Sequence, residues 1–190
     1  MSPIRVIAGK AKGRKLKMVP GNSTRPITDR VKESLFNIIR NELPGSSFLD
    51  IFAGTGSVGI EALSQGAKFV RFVEINRTAL GIIRENLAAV GLEEGAEVLQ
   101  MDAFGMIQRS PDKKFDYFYI APPQYKGMWK KTLLALDKSP GWLVDDGWVI
   151  VQIDPKEYEP MELKHFSEFD KRKYGRTLLV FYEREEENAG

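Results

Sequence analysis

Short apolar runs alternate along most of the chain with amphipathic stretches. The apolar runs predict strands at residues 48–52, 68–73, 97–101, 115–120 and 148–153. The amphipathic stretches place apolar residues at helical spacing and predict helices at residues 59–65, 78–90 and 127–136. This alternation is typical of a mainly parallel sheet with helices on both faces, so the predicted fold class is α/β.

The two ends of the chain depart from this alternation. Residues 1–20 predict two short strands around a basic turn, the N-terminal hairpin, and residues 161–182 predict two further strands. A helix should follow the hairpin, with Thr28 or Asp29 as its N-cap. We therefore expect a hairpin at 1–20, an α/β domain at 21–183, and an acidic tail at 184–190 that frays.

Composition narrows the classes of function. The 190 residues are enough for one domain with a sizeable core. The absence of cysteine excludes disulfides and thiolate metal sites and is consistent with a cytoplasmic location. The single histidine, His165, disfavours histidine metal chemistry and a Ser-His-Asp triad. No apolar run approaches the roughly 20 residues of a membrane span. We expect neither a metal nor a membrane partner.

Charge is distributed unevenly. The net charge is +2, yet residues 1–40 hold ten basic and two acidic residues, whereas the other 150 residues have a net charge of −6. A basic arm on an acidic body predicts that one face binds a polyanion. The alternative is a terminal segment whose charges only keep it solvated.

A glycine-rich loop follows the first predicted core strand. This glycine loop, residues 50–59, contains Gly54, Gly56 and Gly59 at the spacing of a nucleotide-binding turn, which alone would also suit NAD. Asp50 favours S-adenosylmethionine, because a carboxylate would repel a pyrophosphate but attract the ammonium of a methionine moiety. Glu74 ends the next strand and can accept both hydroxyls of a ribose. Alternatively, Asp50 is a capping acid and Glu74 a surface strand end.

The third strand also ends at an acid. Asp102 could accept a hydrogen bond from an adenine amino group, with Phe104 or Ile75 flanking the ring, or it could simply cap the next helix. The candidate cofactor-binding residues are Asp50, Ala53, Gly54, Thr55, Gly56, Glu74, Ile75, Asp102 and Ala103.

A pair of prolines follows the fourth strand, in the segment Ala121-Pro-Pro-Gln-Tyr125, the Pro-Pro turn. Paired prolines fix the backbone, so neighbouring carbonyls can be aimed at an exocyclic amine that becomes positive during methyl transfer. An aromatic side chain beside them could stack on a base. The alternative is a stiff connection without a chemical role. The candidate catalytic residues are Ala121, Pro122, Pro123 and Tyr125.

Together these motifs resemble the RsmD family of ribosomal RNA methyltransferases, which modify a guanine amino group in small-subunit RNA. The resemblance covers nearly the whole chain. Its segments are Arg5-Val-Ile-Ala-Gly-Lys-Ala-Lys-Gly-Arg-Lys-Leu16, Arg25-Pro-Ile-Thr-Asp-Arg-Val-Lys-Glu-Ser-Leu-Phe-Asn37, Leu49-Asp-Ile-Phe-Ala-Gly-Thr-Gly-Ser-Val-Gly-Ile-Glu-Ala-Leu63, Val73-Glu74 and Lys173-Tyr-Gly-Arg-Thr177.

The resemblance implies a Rossmann-like methyltransferase core that uses S-adenosylmethionine, with cofactor contacts at Asp50, the glycine loop, Glu74 and Asp102. It also implies that the N-terminal hairpin helps to hold ribosomal RNA or a small-subunit assembly intermediate. The expected RNA-binding residues are Arg5, Lys10, Lys12, Arg14, Lys15, Lys17 and Arg25.

The chain departs from the family at the Pro-Pro turn. The family usually has Asp-Pro-Pro followed by Tyr or Phe, whereas this chain has Ala121 in place of the aspartate and Gln124 before Tyr125. Losing that charge-assisted acceptor costs roughly 1.5–3 kcal/mol, or about one to two powers of ten in rate. This departure puts the target base, and even turnover, in question.

Three other functions remain open. A nicotinamide-dependent oxidoreductase would explain the glycine loop alone, but Asp50 and the basic hairpin argue against it. A non-catalytic RNA-binding or ribosome-assembly factor would explain Ala121. A methyltransferase for DNA or for another base is also compatible with the residues.

Overall fold

One seven-stranded sheet organises the protein in the computed structural model, which describes residues 3–21 and 26–186. Its strands are β1 (Ser47–Asp50), β2 (Phe69–Glu74), β3 (Ala96–Gln100), β4 (Phe115–Ile120), β5 (Leu143–Ile153), β6 (Phe166–Tyr174) and β7 (Thr177–Arg184). The order is β3-β2-β1-β4-β5-β7-β6, with β1 to β5 parallel and β7 antiparallel to both of its neighbours. The predicted α/β class is confirmed.

Helices cover both faces of the sheet. They are α1 (Asp29–Ile39), α2 (Ser57–Ser64), α3 (Arg77–Val90), α4 (Ala103–Ile107) and α5 (Met128–Lys138). One hydrophobic cluster includes Phe36 of α1, Ile60 of α2 and Ile83 of α3, and the other includes Met106 of α4 and Leu133 of α5. The predicted N-cap of α1 is present, since Thr28 accepts from the Val31 N–H at 3.3 Å, and Gly91 ends α3 with a φ of 69°.

The parallel strands all end at one edge of the sheet, the carboxyl edge. Because β1 lies between β2 and β4, the strand order changes direction there, and this is where ligands bind in open α/β sheets. Asp50 and Glu74 are the last residues of β1 and β2. β7 runs the other way, so its first residue, Thr177, lies at the same edge.

β5 is longer than the sequence predicts. It begins at Leu143 instead of residue 148, because residues 144–147 loop out of the pairing with β4 and the strand then resumes at Trp148. Asp146 sits in this bulge with a φ of 62°, a left-handed conformation that Asp tolerates. The Asp-Asp-Gly sequence of the bulge resembles a turn, which explains the difference.

The N-terminal hairpin has less strand pairing than predicted. A single antiparallel bridge joins Arg5 to Lys15, flanked by a hydrogen bond from the Leu16 N–H to the Ile4 carbonyl at 2.8 Å. Other backbone groups bond to α2 instead. Ile4, Val6 and Leu16 are buried in the cluster of α1, α2 and α3, so the hairpin packs into the core of the predicted domain.

The carboxyl terminus stays paired beyond residue 183. β7 continues to Arg184, and the Glu185 N–H donates to the His165 carbonyl at 2.9 Å. Residues 187–190 of the predicted tail lie outside the described residues.

Candidate active site

A cavity of about 730 Å³ opens at the carboxyl edge of the sheet. The glycine loop and the segments after β2 and β3 line one side of it. The Pro-Pro turn, Tyr119 and Gln152 line the other side, with residues 18–21 and Thr177 also present. Every predicted cofactor-binding residue except Gly56 lines this cavity, as do all four predicted catalytic residues.

Positions 56 and 59 of the glycine loop require glycine for different structural reasons. Gly56 has a φ of 80°, which side chains with a Cβ rarely adopt, and it ends the turn immediately before α2. Gly59 has ordinary helical geometry, but a Cβ there would lie 2.3 Å from Cε1 of Phe72. Gly59 therefore lets α2 pack directly on β2, while Gly56 shapes the turn.

Asp50 is a buried carboxylate at the start of the cavity. The residue is 2% exposed, and its Oδ1 has no hydrogen-bond partner among the described residues. Burial, reinforced by the charge of Glu74, raises the pKa of Asp50 to about 7, although the backbone N–H groups of Gly59 and Phe52 oppose the rise. A cationic group placed against this oxygen would offset the cost of burying the charge.

Glu74 holds the glycine loop in place. Its Oε2 accepts the Gly54 N–H at 2.9 Å and its Oε1 accepts the Asn76 N–H at 2.9 Å. Each carboxylate oxygen retains acceptor capacity, so Glu74 can both position the loop and accept hydroxyls. The sequence did not reveal this first role.

The segments after β2 and β3 provide an apolar surface beside an acid. Ile75 is 63% exposed, unusually high for a large aliphatic residue that lines a cavity. Asp102 accepts the Gly105 N–H at 3.0 Å and is the N-cap of α4, while it also lines the cavity next to Ala103. Both predicted roles of Asp102 are thus geometrically compatible. Phe104 is not among the lining residues.

The Pro-Pro turn is tied to the end of β5. The Tyr125 hydroxyl donates to Asp154 Oδ2 at 2.6 Å, and the Tyr125 N–H donates to Glu157 Oε1 at 2.9 Å. Tyr125 has a φ of 61° and is 63% exposed. The hydrogen bond raises the pKa of Tyr125 and lowers that of Asp154. The ring is thereby held at the mouth of the cavity.

A hydrogen-bonded pair, the buried Tyr119 hydroxyl and the partly buried Gln152 amide, lies beside Ala121, and sequence reasoning missed it. The Tyr119 hydroxyl donates to Oε1 of Gln152, and burial raises the pKa of Tyr119 well above its usual value. Because Ile120 pairs with Val151, Gln152 is the neighbour of Ala121 in the next register position. The signal was a polar residue within the apolar run at 148–153.

Comparisons with known proteins identify the family. Residues 4–183 match the family model described as Conserved hypothetical protein 95. The chain belongs to this family, the RsmD family of ribosomal RNA methyltransferases. It is 37% identical to YlbH of Bacillus subtilis (strain 168) over 183 residues, which is 95% of this chain and 99% of that protein.

Further relatives agree. The ribosomal RNA small subunit methyltransferase D of Escherichia coli (strain K12) is 31% identical over 183 residues, or 96% of this chain and 90% of that protein. The solved structure of Escherichia coli yhhF superimposes with a TM-score of 0.86 at 30% identity, covering 97% of this chain and 99% of that one. The predicted family and the Rossmann-like methyltransferase fold are confirmed.

Only some of the basic residues expected to bind RNA in this RsmD-family chain are free of ion pairs and hydrogen bonds. Arg5 pairs with Asp29 at 2.8 Å, Lys17 pairs with Glu85 at 2.6 Å, and Arg14 donates to the Ala89 carbonyl. Lys10, Lys12 and Lys15 are exposed and belong to no ion pair among residues 3–21 and 26–186. Arg25 lies outside the described residues.

The turn of the hairpin lies away from the cavity. The Lys10 N–H donates to the carbonyl of Ser64, the last residue of α2, at 2.9 Å. α2 begins at the glycine loop and has eight residues. At about 1.5 Å per residue α2 is about 12 Å long, so the backbone of Lys10 lies roughly that far from the glycine loop.

Two buried polar side chains connect the hairpin to the core. Glu61 of α2 accepts the Ile7 and Ala8 N–H groups at 2.9 and 3.0 Å. Asn86 of α3, 1% exposed, accepts the Lys17 N–H at 2.7 Å and donates at 3.0 Å to the carbonyls of Lys17 and Thr55. Asn86 thus joins the hairpin backbone to the glycine loop.

The described residues include neither a candidate metal site nor a candidate membrane span. No group of three or more His, Asp or Glu side chains is arranged there as metal ligands would be. No helix in the described part of the chain is long and apolar enough to cross a membrane.

Proposed function

We propose that this chain transfers a methyl group from S-adenosylmethionine to the exocyclic amine of a guanine in small-subunit ribosomal RNA, in an assembly intermediate or the free RNA. The main observation in support of this proposal is that one cavity is lined by both the glycine loop and the Pro-Pro turn. A methyl donor and an acceptor base can therefore meet inside it. The proposal keeps the cytoplasmic location expected from the sequence.

The residues of the donor side, which are the glycine loop and residues 74–76 and 102–103, fit S-adenosylmethionine. The free oxygen of Asp50 suits the ammonium group, and the spare acceptor capacity of Glu74 suits the ribose hydroxyls. Ile75 offers an apolar surface to the adenine, and Asp102 an acceptor for its amino group. Ala53, Gly54 and Thr55 allow close approach of the backbone. The bound cofactor supplies an activated methyl group on a sulfonium.

The acceptor side consists of residues 119–125 and Gln152. The target base must leave its stack to reach it. We assign the carbonyls of Ala121 and Pro122 as acceptors for the amine, where they stabilise the positive charge that develops on its nitrogen. The exposed ring of Tyr125, fixed by Asp154, stacks on the base. The chain thus contributes orientation and electrostatic stabilisation to a direct displacement.

Gln152 partly replaces the carboxylate missing at position 121. Its Oε1 is held by Tyr119, which leaves one lone pair and the amide N–H groups of Gln152 for a base edge. An amide is a weaker acceptor for a developing cation than a carboxylate. We therefore expect slow but specific turnover.

A second function is favoured by one observation. Without a carboxylate at Ala121, the chain could bind RNA and a cofactor without turnover, as an assembly factor. It would then bind RNA as tightly as an active enzyme and transfer no label.

The test uses purified protein, S-adenosylmethionine labelled in the methyl group, and small-subunit particles or RNA lacking the modification. The products are digested to nucleosides and identified by mass, with the Asp50→Asn variant as a cofactor-binding control. Label in N2-methylguanosine supports the proposal. Label in another nucleoside would show that the target is not guanine. Cofactor binding without label in the RNA would support the assembly factor.

A further inference from the structure

A second basic segment interrupts the acidic body of the protein. Residues 171–176 contain Lys171, Arg172, Lys173 and Arg176 and no acid, although residues 41–190 have a net charge of −6. The segment spans the end of β6 and the turn into β7. Its charge is therefore concentrated at one point of the sheet.

The sheet topology places this turn at the mouth of the cavity. β7 is antiparallel to β5 and pairs Leu178 with Ile153, the last residue of β5. The turn between Tyr174 and Thr177 therefore projects at the carboxyl edge, and Thr177 lines the cavity together with Pro122. Gly175 has a φ of 58°, which allows the tight two-residue turn.

Arg176 lies close to the Pro-Pro turn. The pKa of Asp154 is lowered first by the Tyr125 hydrogen bond and the Lys156 N–H, and also by the positive charge of Arg176. Asp154 holds Tyr125, which lines the cavity. Because Arg176 directly precedes Thr177, which lines the cavity, this residue lies near the place where the acceptor base would enter.

The four basic side chains are not equally available. Arg172 pairs with Asp170 at 2.9 Å, and Lys171 is near Glu168 at 3.6 Å and bonds to the Tyr158 hydroxyl. Lys173 and Arg176 are exposed and form no ion pair within the part of the chain that the structure describes. One free cation therefore lies near the end of β6 and another in the turn that follows it.

We propose that Lys173 and Arg176 form a second RNA-binding surface, which holds the phosphates flanking the base that enters the cavity. This inference rests on the proposed function, because it takes RNA as the partner. The turn of the N-terminal hairpin, where the backbone of Lys10 lies about 12 Å from the glycine loop, then binds a more distant part of the same RNA. The second surface thus positions the RNA at the target base, and the hairpin contributes general affinity.

The first test compares two double variants with the same change in charge. Lys173→Gln/Arg176→Gln alters the proposed surface, whereas Lys114→Gln/Lys138→Gln alters exposed lysines at the start of β4 and the end of α5, at the opposite edge. RNA affinity is measured from 50 to 300 mM salt without any methyl donor. Thermal unfolding and cofactor affinity verify that each variant is folded.

The expected difference follows from counterion release. Each phosphate contact with a single strand contributes about 0.7 to the slope of log affinity against log salt, or about fivefold in affinity near 0.1 M salt. The surface variant should therefore bind about 25-fold more weakly with a slope lower by about 1.4, and the control should change less than twofold. Equal behaviour of both variants would overturn the proposal.

A second test locates the contact. The chain has no cysteine, so single-cysteine variants at Arg176 and Lys138 can each carry a photo-crosslinker. Crosslinks from position 176 should fall within a few nucleotides of the methylated base, and those from position 138 should be rare. Distant crosslinks from position 176 reject the proposed surface even when methylation is observed. The salt-dependence readout does not need turnover, so a wild-type protein that binds RNA without methylating it would fail the proposed function alone.

Discussion

The two sides of the cavity are built in different ways. On the donor side, Glu74 accepts the N–H of Gly54 in the glycine loop and the N–H of Asn76 after β2, and Asp50 is buried. On the acceptor side, the position beside the prolines is Ala121, and the nearby polar groups come from Gln152 of β5 and from Tyr125, which Asp154 holds. The glycine loop of the donor side belongs to one continuous strand–loop–helix unit, whereas the polar groups of the acceptor side come from two segments, residues 119–125 and the end of β5.

This difference has a physical consequence. A site held by its own backbone hydrogen bonds tolerates little change, because each acid both binds and supports the loop. A site assembled from side chains of neighbouring strands can exchange one polar group for another, as Ala121 and Gln152 suggest. We therefore expect substitutions on the donor side to affect stability and cofactor binding together, and substitutions on the acceptor side to affect turnover alone.

The largest expected effect is that of Asp50→Asn on stability. The folded pKa of Asp50 is about 7, above its ordinary 3.8, so the folded protein retains a proton that the unfolded chain releases. The cost of this carboxyl is absent below about pH 4, grows as the pH rises, and is complete above about pH 7, where it reaches about 4 kcal/mol. Asp50→Asn should raise the free energy of unfolding at pH 8 by up to that amount and change little at pH 4, as measured by urea titration.

The same variant should lose cofactor affinity, which makes the donor side a site where function opposes stability. Wild-type affinity for S-adenosylhomocysteine should fall below about pH 7, because protonated Asp50 cannot pair with an ammonium group. The exposed N-cap variant Asp102→Asn is the control for stability, since asparagine also caps helices. A stability gain that is independent of pH would contradict the role of charge.

Gly59→Ala should come next. Its Cβ would lie 2.3 Å from a ring atom of Phe72, and overpacking of this kind costs about 1–3 kcal/mol. Gly81→Ala in α3 is the matched control, because nothing lies within 4 Å of its Cβ position. That control should stabilise by about 0.5–1 kcal/mol. Chemical denaturation measures both changes, and equal effects would mean that the contact with Phe72 is unimportant.

Gln152→Leu tests the acceptor side. Removing the amide while keeping a similar volume should lower kcat roughly tenfold, or about 1.4 kcal/mol, with unchanged affinity for the cofactor. Ala121→Asp in the same chain should restore turnover, because it returns an acceptor to the neighbouring register position. Loss of cofactor affinity in Gln152→Leu would show that the two sides are not separable.

The smallest expected effect is that of Tyr125→Phe. This change keeps the stacking ring but removes the hydroxyl that bonds to Asp154. The KM for RNA should rise roughly threefold with little change in kcat, because one exposed hydrogen bond orders the ring. Steady-state kinetics with varied RNA concentration measures both parameters. Tyr125→Ala, which also removes the ring, should raise the KM further. A fall in kcat alone would assign the hydroxyl to the chemistry.

Sequence reasoning predicted the features encoded within short segments. The alternation of strands and helices, the strand end at Glu74 and the cap at Thr28 all depend on residues close together in the chain. The carboxyl edge follows from the topology of parallel strands.

The features that were missed depend on distant residues. Gln152 acquires its significance only because β5 lies beside β4, and the turn with Arg176 reaches the cavity only because β7 is antiparallel to β5. The summed negative charge of residues 41–190 also concealed the basic segment at 171–176. The packing of the hairpin on α2 through Glu61 likewise needed the tertiary fold.

The position of Asn86 links two binding events. Its side chain bonds both to the backbone of Lys17 in the N-terminal hairpin and to the carbonyl of Thr55 in the glycine loop. Movement of the hairpin on RNA therefore changes the energy of the loop. Thermodynamic reciprocity requires that the factor by which RNA changes cofactor affinity equals the factor by which the cofactor changes RNA affinity. We expect the buried amide of Asn86 to carry this coupling free energy, which has the same value whichever ligand binds first.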